Sequence, residues 1–120
     1  TFAGRITDDE LVDLYRRAWV VDSAPSHEGW GMTLTEAAAC GTPAVATRIS
    51  GHLDAVAEGS GGRLAEDDRA LRDHLVTVLS DTEARDRLSA GALAHAQAFT
   101  WEATAAGTLT ALAQEARRRR

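Results

Sequence analysis

Two apolar runs, Trp19-Val20-Val21 and Pro43 to Thr47, are too short for helices, and an alanine-rich stretch lies between them. That stretch, Met32 to Cys40, stops at Gly41 with Pro43 just beyond, the residue types that end helices. Strand, helix and strand in that order make a crossover unit, which commits the chain to a parallel sheet. A brief third strand is expected at Arg63-Leu64-Ala65, after a short helix at Leu53 to Glu58 and a turn at Gly59-Ser60-Gly61-Gly62. Upstream, Thr7-Asp8-Asp9-Glu10 is a capping-box pattern, and Leu11, Leu14, Tyr15 and Ala18 share one face of a helix over residues 8 to 18. Thr1 to Gly4 would be the tail of a preceding strand.

Downstream the pattern turns helical. Leu71, His74, Leu75, Val78 and Leu79 form a stripe at helical spacing, Ser80 with Glu83 caps a further helix, and Thr100 opens a last one carrying Trp101, Ala105, Leu109 and Leu112. The fold class expected is α/β: a Rossmann-like parallel sheet with flanking helices and a helical C-terminal third. With 120 residues the chain suits one domain, and a second is excluded. No repeat, linker or internal boundary interrupts it.

Composition narrows the function classes. All 13 basic residues are arginine, net charge is −5, and four arginines are gathered at Arg117 to Arg120. A nucleic-acid surface needs a broad basic patch, so nucleic acid is not an expected partner, and the terminal run suits the negative pole of a helix. The lone Cys40 has no internal disulfide partner, and no apolar segment is long enough for a signal peptide or membrane span. A reducing cytoplasm is the expected location, with room for peripheral membrane attachment in a full-length protein.

Parallel sheets bind ligands outside the carboxyl ends of their strands, which directs attention to Ser23 to Gly31. His27-Glu28-Gly29-Trp30-Gly31-Met32-Thr33-Leu34-Thr35-Glu36 places two glycines at a helix start and two carboxylates eight positions apart. Gly29 and Gly31 permit backbone torsions and close approach, so the amides of Gly31, Met32 and Thr33 can point outward. Free amides at the positive pole of a helix make a diphosphate site without lysine. Glu28 and Glu36 can border one pocket from different sides and accept hydrogen bonds from sugar or ribose hydroxyls.

The ordered set of motifs resembles a known family. Glu28, seven residues and Glu36, with Gly29-Trp30-Gly31 after the first and Ala39-Cys40-Gly41-Thr42-Pro43 after the second, are similar to the donor-site signature of retaining glycosyltransferases of GT-B architecture. Val45-Ala46-Thr47, Ser50-Gly51, Ser80-Asp81 and Phe99-Thr100-Trp101-Glu102 come next in the same order, so the resemblance to this group 1, or family 4, type covers nearly the whole chain. It implies a partial domain over residues 1 to 120 that binds a nucleotide-diphosphate sugar as donor substrate, with no cofactor and no bound metal. Glu28 is then catalytic, supporting charge at the anomeric centre, while Gly29, Trp30, Gly31, Met32 and Thr33 hold the donor sugar and diphosphate. Glu36 takes the ribose hydroxyls, and Arg5 and Ile6 lie near the base. The acceptor site and the basic pair that neutralises the diphosphate belong to segments outside this chain, an N-terminal acceptor domain among them. The activity implied is retaining transfer to an acceptor hydroxyl, and the alternative is a nucleotide-binding module without turnover. In the full architecture the last helix crosses back toward that N-terminal domain, so an apolar face here would favour self-association.

The sequence departs from the family at Thr33, where proline is common, at His52, where a second glycine is common, and at His27, where an aromatic or small residue stands. Read singly, Glu28 and Glu36 are ordinary surface carboxylates, and only their joint context gives them a role. His27 suits an exposed loop, His74 a core boundary, and His52 and His95 suggest no ligand geometry. Cys40 is expected to be a small buried thiol and Trp101 a packing residue. A glycoside hydrolase using Glu28 and Glu36 as acid and base would need them to flank a glycosidic bond, and the anion-binding helix start between them argues against that.

Overall fold

The structure, a computed structural model, describes residues 1–119. Its elements are α1 (Asp8–Arg17), β1 (Val21–Ser23), α2 (Met32–Ala39), β2 (Ala44–Thr47), α3 (Ser50–Leu53), β3 (Gly62–Ala65), α4 (Asp68–Ser80), α5 (Thr82–Ala96) and α6 (Trp101–Arg118). The capping box forms as expected: the Thr7 hydroxyl accepts the Glu10 N–H at 3.3 Å and the Glu10 carboxylate accepts the Thr7 N–H at 2.8 Å. The Thr7 N–H bond, with the Thr7 hydroxyl donating to Glu10 Oε2 at 3.0 Å, holds the Glu10 carboxyl below the usual carboxylate range.

Several expected boundaries shift, each for a local reason. Thr1 to Gly4 pair with no strand, because Gly4 takes φ 66° and turns the chain before α1. On α1 the half-buried positions are Leu11, Val12 and Tyr15, whereas Leu14 and Ala18 face solvent. Trp19 is not in a buried strand but 59% exposed, with the Arg85 guanidinium 4.4 Å over its ring. Pairing begins only at Val21, whose N–H reaches the Pro43 carbonyl at 3.0 Å. The short helix comes at Ser50–Leu53 rather than Leu53 to Glu58. The cap of α5 is Asp81, whose carboxylate accepts the Ala84 N–H at 2.9 Å, while the Ser80 hydroxyl bonds back to the Val76 carbonyl.

The sheet is parallel with order β1-β2-β3. Val21 to Ser23 pair with Ala44 to Ala46, and Ala44 to Thr47 pair with Gly62 to Ala65. Alternation along β2 divides the core in two. Ala44 and Ala46 join Leu34, Ala55, Val56 and Leu64 on one face, and Val45 joins Val78 and Leu88 on the other. Burial on both faces is why β2 reads as an unbroken apolar run. The C-terminal third is helical, as expected, but α6 buries no residue and leaves Trp101 87% exposed, so its packing role is absent here. Of the terminal arginines, Arg118 and Arg119 pair with Glu115, and Arg120 lies outside the described residues.

α5 reaches the sheet through backbone contact. A Cβ on Gly91 would lie 1.9 Å from the Ser60 carbonyl oxygen, and one on Gly61 would lie 2.9 Å from the Ala92 backbone. The Gly59 to Gly62 turn is therefore also the seat of a helix. Alanine is the better helix former by about 1 kcal/mol, yet Gly91→Ala is expected to destabilise the protein by roughly 1–3 kcal/mol through forced separation. Gly107→Ala in α6, where a Cβ would meet nothing within 4 Å, is the paired control and is expected to be neutral or slightly stabilising. Thermal melts of the two variants decide it; a Gly91→Ala protein as stable as its parent rules out the backbone seat.

Candidate functional site

The site is built at the start of α2. Gly31 is its N-cap in the left-handed region, φ 79° and ψ 53°, and its carbonyl accepts the N–H groups of Leu34 at 2.9 Å and Thr35 at 3.3 Å. The Met32 and Thr33 amides have no protein partner among the described residues. α1, α4, α5 and α6 each have a side-chain N-cap and an acidic residue in the first turn. α2 has neither, so its positive pole is left unneutralised. At its other end Gly41, φ 80°, donates to the Ala38 carbonyl and Thr42 to the Ala37 carbonyl, closing the helix as expected.

α3 supports the loop from below. A Cβ on Gly51 would lie 2.2 Å from the Glu28 carbonyl oxygen, and the buried His52 ring fills the space where a Gly31 side chain would go. The Thr47 hydroxyl donates to the Pro25 carbonyl at 3.1 Å, tying the end of β2 to the start of the same loop. Gly31 needs to be glycine on both torsion and space. Gly29 does not: its φ lies outside the left-handed region and a Cβ there would meet nothing within 4 Å. Within the protein the close backbone approach is made by Gly51, and the space at Gly29 is open.

The two glutamates do not share a cavity. Glu36 lines a space of about 400 Å³ between α1 and α2, with Asp8, Leu11 and Tyr15. The Tyr15 hydroxyl donates to Glu36 Oε2 at 3.2 Å, a partner 21 positions away that no local pattern reveals. Glu28 is exposed and turned onto the Gly29 N–H at 2.9 Å. Trp30 and Met32 line an open cavity of about 690 Å³ on the other side of α2, with Thr35, Phe99 and Trp101. There the Phe99 ring meets Trp30 edge to face at 5.5 Å and His95 at 4.9 Å. Arg5 is exposed and Ile6 half-buried, and neither lines the cavity beside Glu36. Arg48 pairs with Glu58 and Glu66. Cys40 is only half-buried, since it lines the Glu36 cavity rather than the core. Among the described residues no His, Cys, Asp or Glu group could hold a metal ion. No described helix is long and apolar enough to cross a membrane.

Comparison with known proteins converges on one family, described as glycosyl transferases group 1, whose pattern matches residues 1–95. The chain belongs to that family. It is 43% identical over 99 residues to the D-inositol 3-phosphate glycosyltransferase of Corynebacterium glutamicum, a match covering 81% of this chain and 24% of the relative. The counterpart in Stackebrandtia nassauensis is 38% identical over 121 residues, covering 99% of this chain and 27% of the relative. Among solved structures, sucrose-phosphate synthase from Thermosynechococcus elongatus superposes with a TM-score of 0.81 at 30% identity, covering 97% of this chain and 30% of that one. The chain thus spans about a quarter of the length of these curated relatives. The Rossmann-like fold and a glycosyltransferase family follow from these matches.

Burial, then the charge and hydrogen bond of Glu36, push the Tyr15 phenol above its ordinary value of about 10. Tyr15 is the only tyrosine, so phenolate absorbance reads it alone. The titration midpoint is expected above 10, and Glu36→Gln is expected to remove part of the rise and leave the part due to burial. With the folded value raised, this stability is full below the unfolded value and is lost as pH rises through the folded one. A midpoint unmoved by Glu36→Gln would disprove the Tyr15 to Glu36 bond.

Proposed function

We propose that this chain is the donor-binding portion of a glycosyltransferase that moves a sugar from a nucleoside-diphosphate sugar to an acceptor hydroxyl, with retention at the anomeric carbon. The observation that carries the reading is the start of α2: unpaired Met32 and Thr33 amides, a left-handed Gly31 cap and no acid in the first turn, set between Glu28 and Glu36. A diphosphate seated there meets aligned N–H groups and the positive helix pole. On this reading those amides, with Gly29 to Gly31, hold the diphosphate and sugar and no metal or cofactor is required. Glu36 accepts the ribose hydroxyls while Tyr15 fixes one of its oxygens.

In the reaction the bond from anomeric carbon to diphosphate oxygen breaks as the acceptor oxygen bonds to the same face, and the acceptor's hydroxyl proton passes to the departing diphosphate. Glu28 has the catalytic role, releasing the Gly29 N–H to face the sugar and the developing positive charge. Arg5 and Ile6 are assigned to the base side. The relatives' names differ in the compounds they give, D-inositol 3-phosphate in one and sucrose phosphate as the product of the other, and the acceptor of this reaction is assigned to a segment outside this chain. The acceptor domain, the cytoplasmic location and any pairing of copies through α6 belong to this proposal, as does a single partial domain over residues 1 to 120.

A module that binds nucleotide without turnover is the second reading, favoured by the separation of Glu28 from the Glu36 cavity and by Arg48 being already paired. Calorimetric titration of the purified protein with a panel of nucleoside diphosphates and their sugars tests the site. Glu36→Ala is expected to weaken binding roughly 10- to 100-fold, the worth of hydrogen bonds to a charged group. Folded protein that binds no member of the panel, or binds equally well without Glu36, refutes the donor site. Sugar transfer that survives Glu28→Gln unchanged refutes its catalytic role.

A further inference from the structure

α3 carries a histidine that the donor site as described does not use. His52 has 0% exposure, and its Nδ1 lies 2.8 Å from the Thr47 carbonyl oxygen. A carbonyl has no proton to give, so Nδ1 carries the hydrogen and donates it. In the neutral ring Nε2 is then a bare lone pair, and it is buried without a hydrogen-bond partner. Buried polar atoms are nearly always partnered, and an idle one costs free energy until something engages it.

The idle nitrogen lies beneath the residue that opens α2. A Cβ on Gly31 would fall 3.0 Å from His52 Cδ2 and 3.5 Å from Nε2. The imidazole edge and the unpaired Met32 and Thr33 amides therefore meet at one residue that has no side chain. The charged groups nearby are engaged elsewhere: Glu28 faces the Gly29 N–H, and Arg48 faces Glu58 and Glu66. From β2 the Thr47 carbonyl is bonded to the ring, and from α2 the apolar Leu34 side chain lines the same Gly31 pocket. No protein carboxylate is bonded to Nε2.

We propose that His52 is the proton-carrying positioning residue of the diphosphate site: Nε2 takes up a proton from solvent when the donor's diphosphate docks on the start of α2. The inference rests on the donor-site reading. A charged Nε2 has no acceptor within the protein, and a docked diphosphate supplies negative charge on the Gly31 side of the ring. The Nδ1–H to Thr47 bond persists in both states, so the ring stays in place while its charge changes. When the diphosphate leaves, the proton returns to solvent.

The test is calorimetric titration of the purified protein with nucleoside-diphosphate hexoses, repeated in buffers of different ionisation heat. Both ends of that diphosphate are esterified, so the ligand has no proton of its own to trade near neutral pH. In the pH range where the free ring is neutral and the bound ring charged, uptake is expected to approach one proton per ligand. Linkage then makes affinity fall as pH rises, by up to about tenfold per unit. His52→Asn keeps an amide nitrogen for the Thr47 carbonyl but has nothing to titrate; it is expected to abolish uptake, flatten the pH profile and weaken binding about tenfold near neutral pH. Nitrogen NMR of the unaltered protein gives a reading independent of any variant, with Nε2 bare when free and protonated when bound. Binding without uptake overturns the role of His52 and leaves the donor site standing. Uptake that persists in His52→Asn also overturns it, and absence of any binding removes both.

Discussion

Everything at the site depends on two stretches of backbone that touch. Gly51 lies so close under the Glu28 carbonyl that any side chain there would occupy the same space, and the loop from Glu28 to Gly31 rests on that contact. Gly31 can hold its left-handed cap because His52 and Leu34 fill the pocket on its open side. The direction of the Met32 and Thr33 amides is then set by the cap. A site aimed by backbone contact has fewer ways to relax than one aimed by long side chains, since closely packed layers have few alternative arrangements.

The same device recurs away from the loop. Gly62 sits where a Cβ would lie 2.6 Å from the Ala44 carbonyl, and Gly91 of α5 is seated on Ser60. The inner residues of β2 are Ala44, Val45 and Ala46, all small and all buried. Larger apolar residues, Trp19, Trp101 and Leu109 among them, stay outside. The fold therefore gains its layering from close approach rather than from bulk, and small residues at these places matter more than their modest buried area suggests.

Much of this was legible in the sequence because its signals are local. The Thr7 to Glu10 capping box, the Gly41 stop and the alanine-rich α2 each fix their element through neighbours within six positions. The parallel sheet is implied by their order, and the anion-binding helix start by Gly31 together with Met32 and Thr33. The rest depends on contacts made by folding and was not legible. Tyr15 meets Glu36 only after α1 packs on α2, and nothing about His52 announces a buried ring until α3 is placed under the loop. The tight approach at Gly51 is not legible, because the Glu28 carbonyl that it meets lies across the fold rather than beside it in sequence. Trp19 and Trp101 stay exposed for a related reason: apolar character marks a residue for burial only when another layer arrives to cover it.

Charge gives the last step. A protein of net charge −5 is an unpromising host for a diphosphate, and Arg48, the arginine nearest the loop in sequence after β2, is committed to Glu58 and Glu66. The acidic residues are not spread evenly, however. α1, α4, α5 and α6 have carboxylates at their positive ends, which neutralise those poles and close them to anions. α2 alone among helices of more than one turn lacks them, and its carboxylate Glu36 stands a turn further on, toward Tyr15. The start of α2 is thus free of carboxylates in its first turn, although the chain as a whole is acidic. An anion drawn to this surface has one helix pole open to it, and that pole lies on the loop that α3 holds in place.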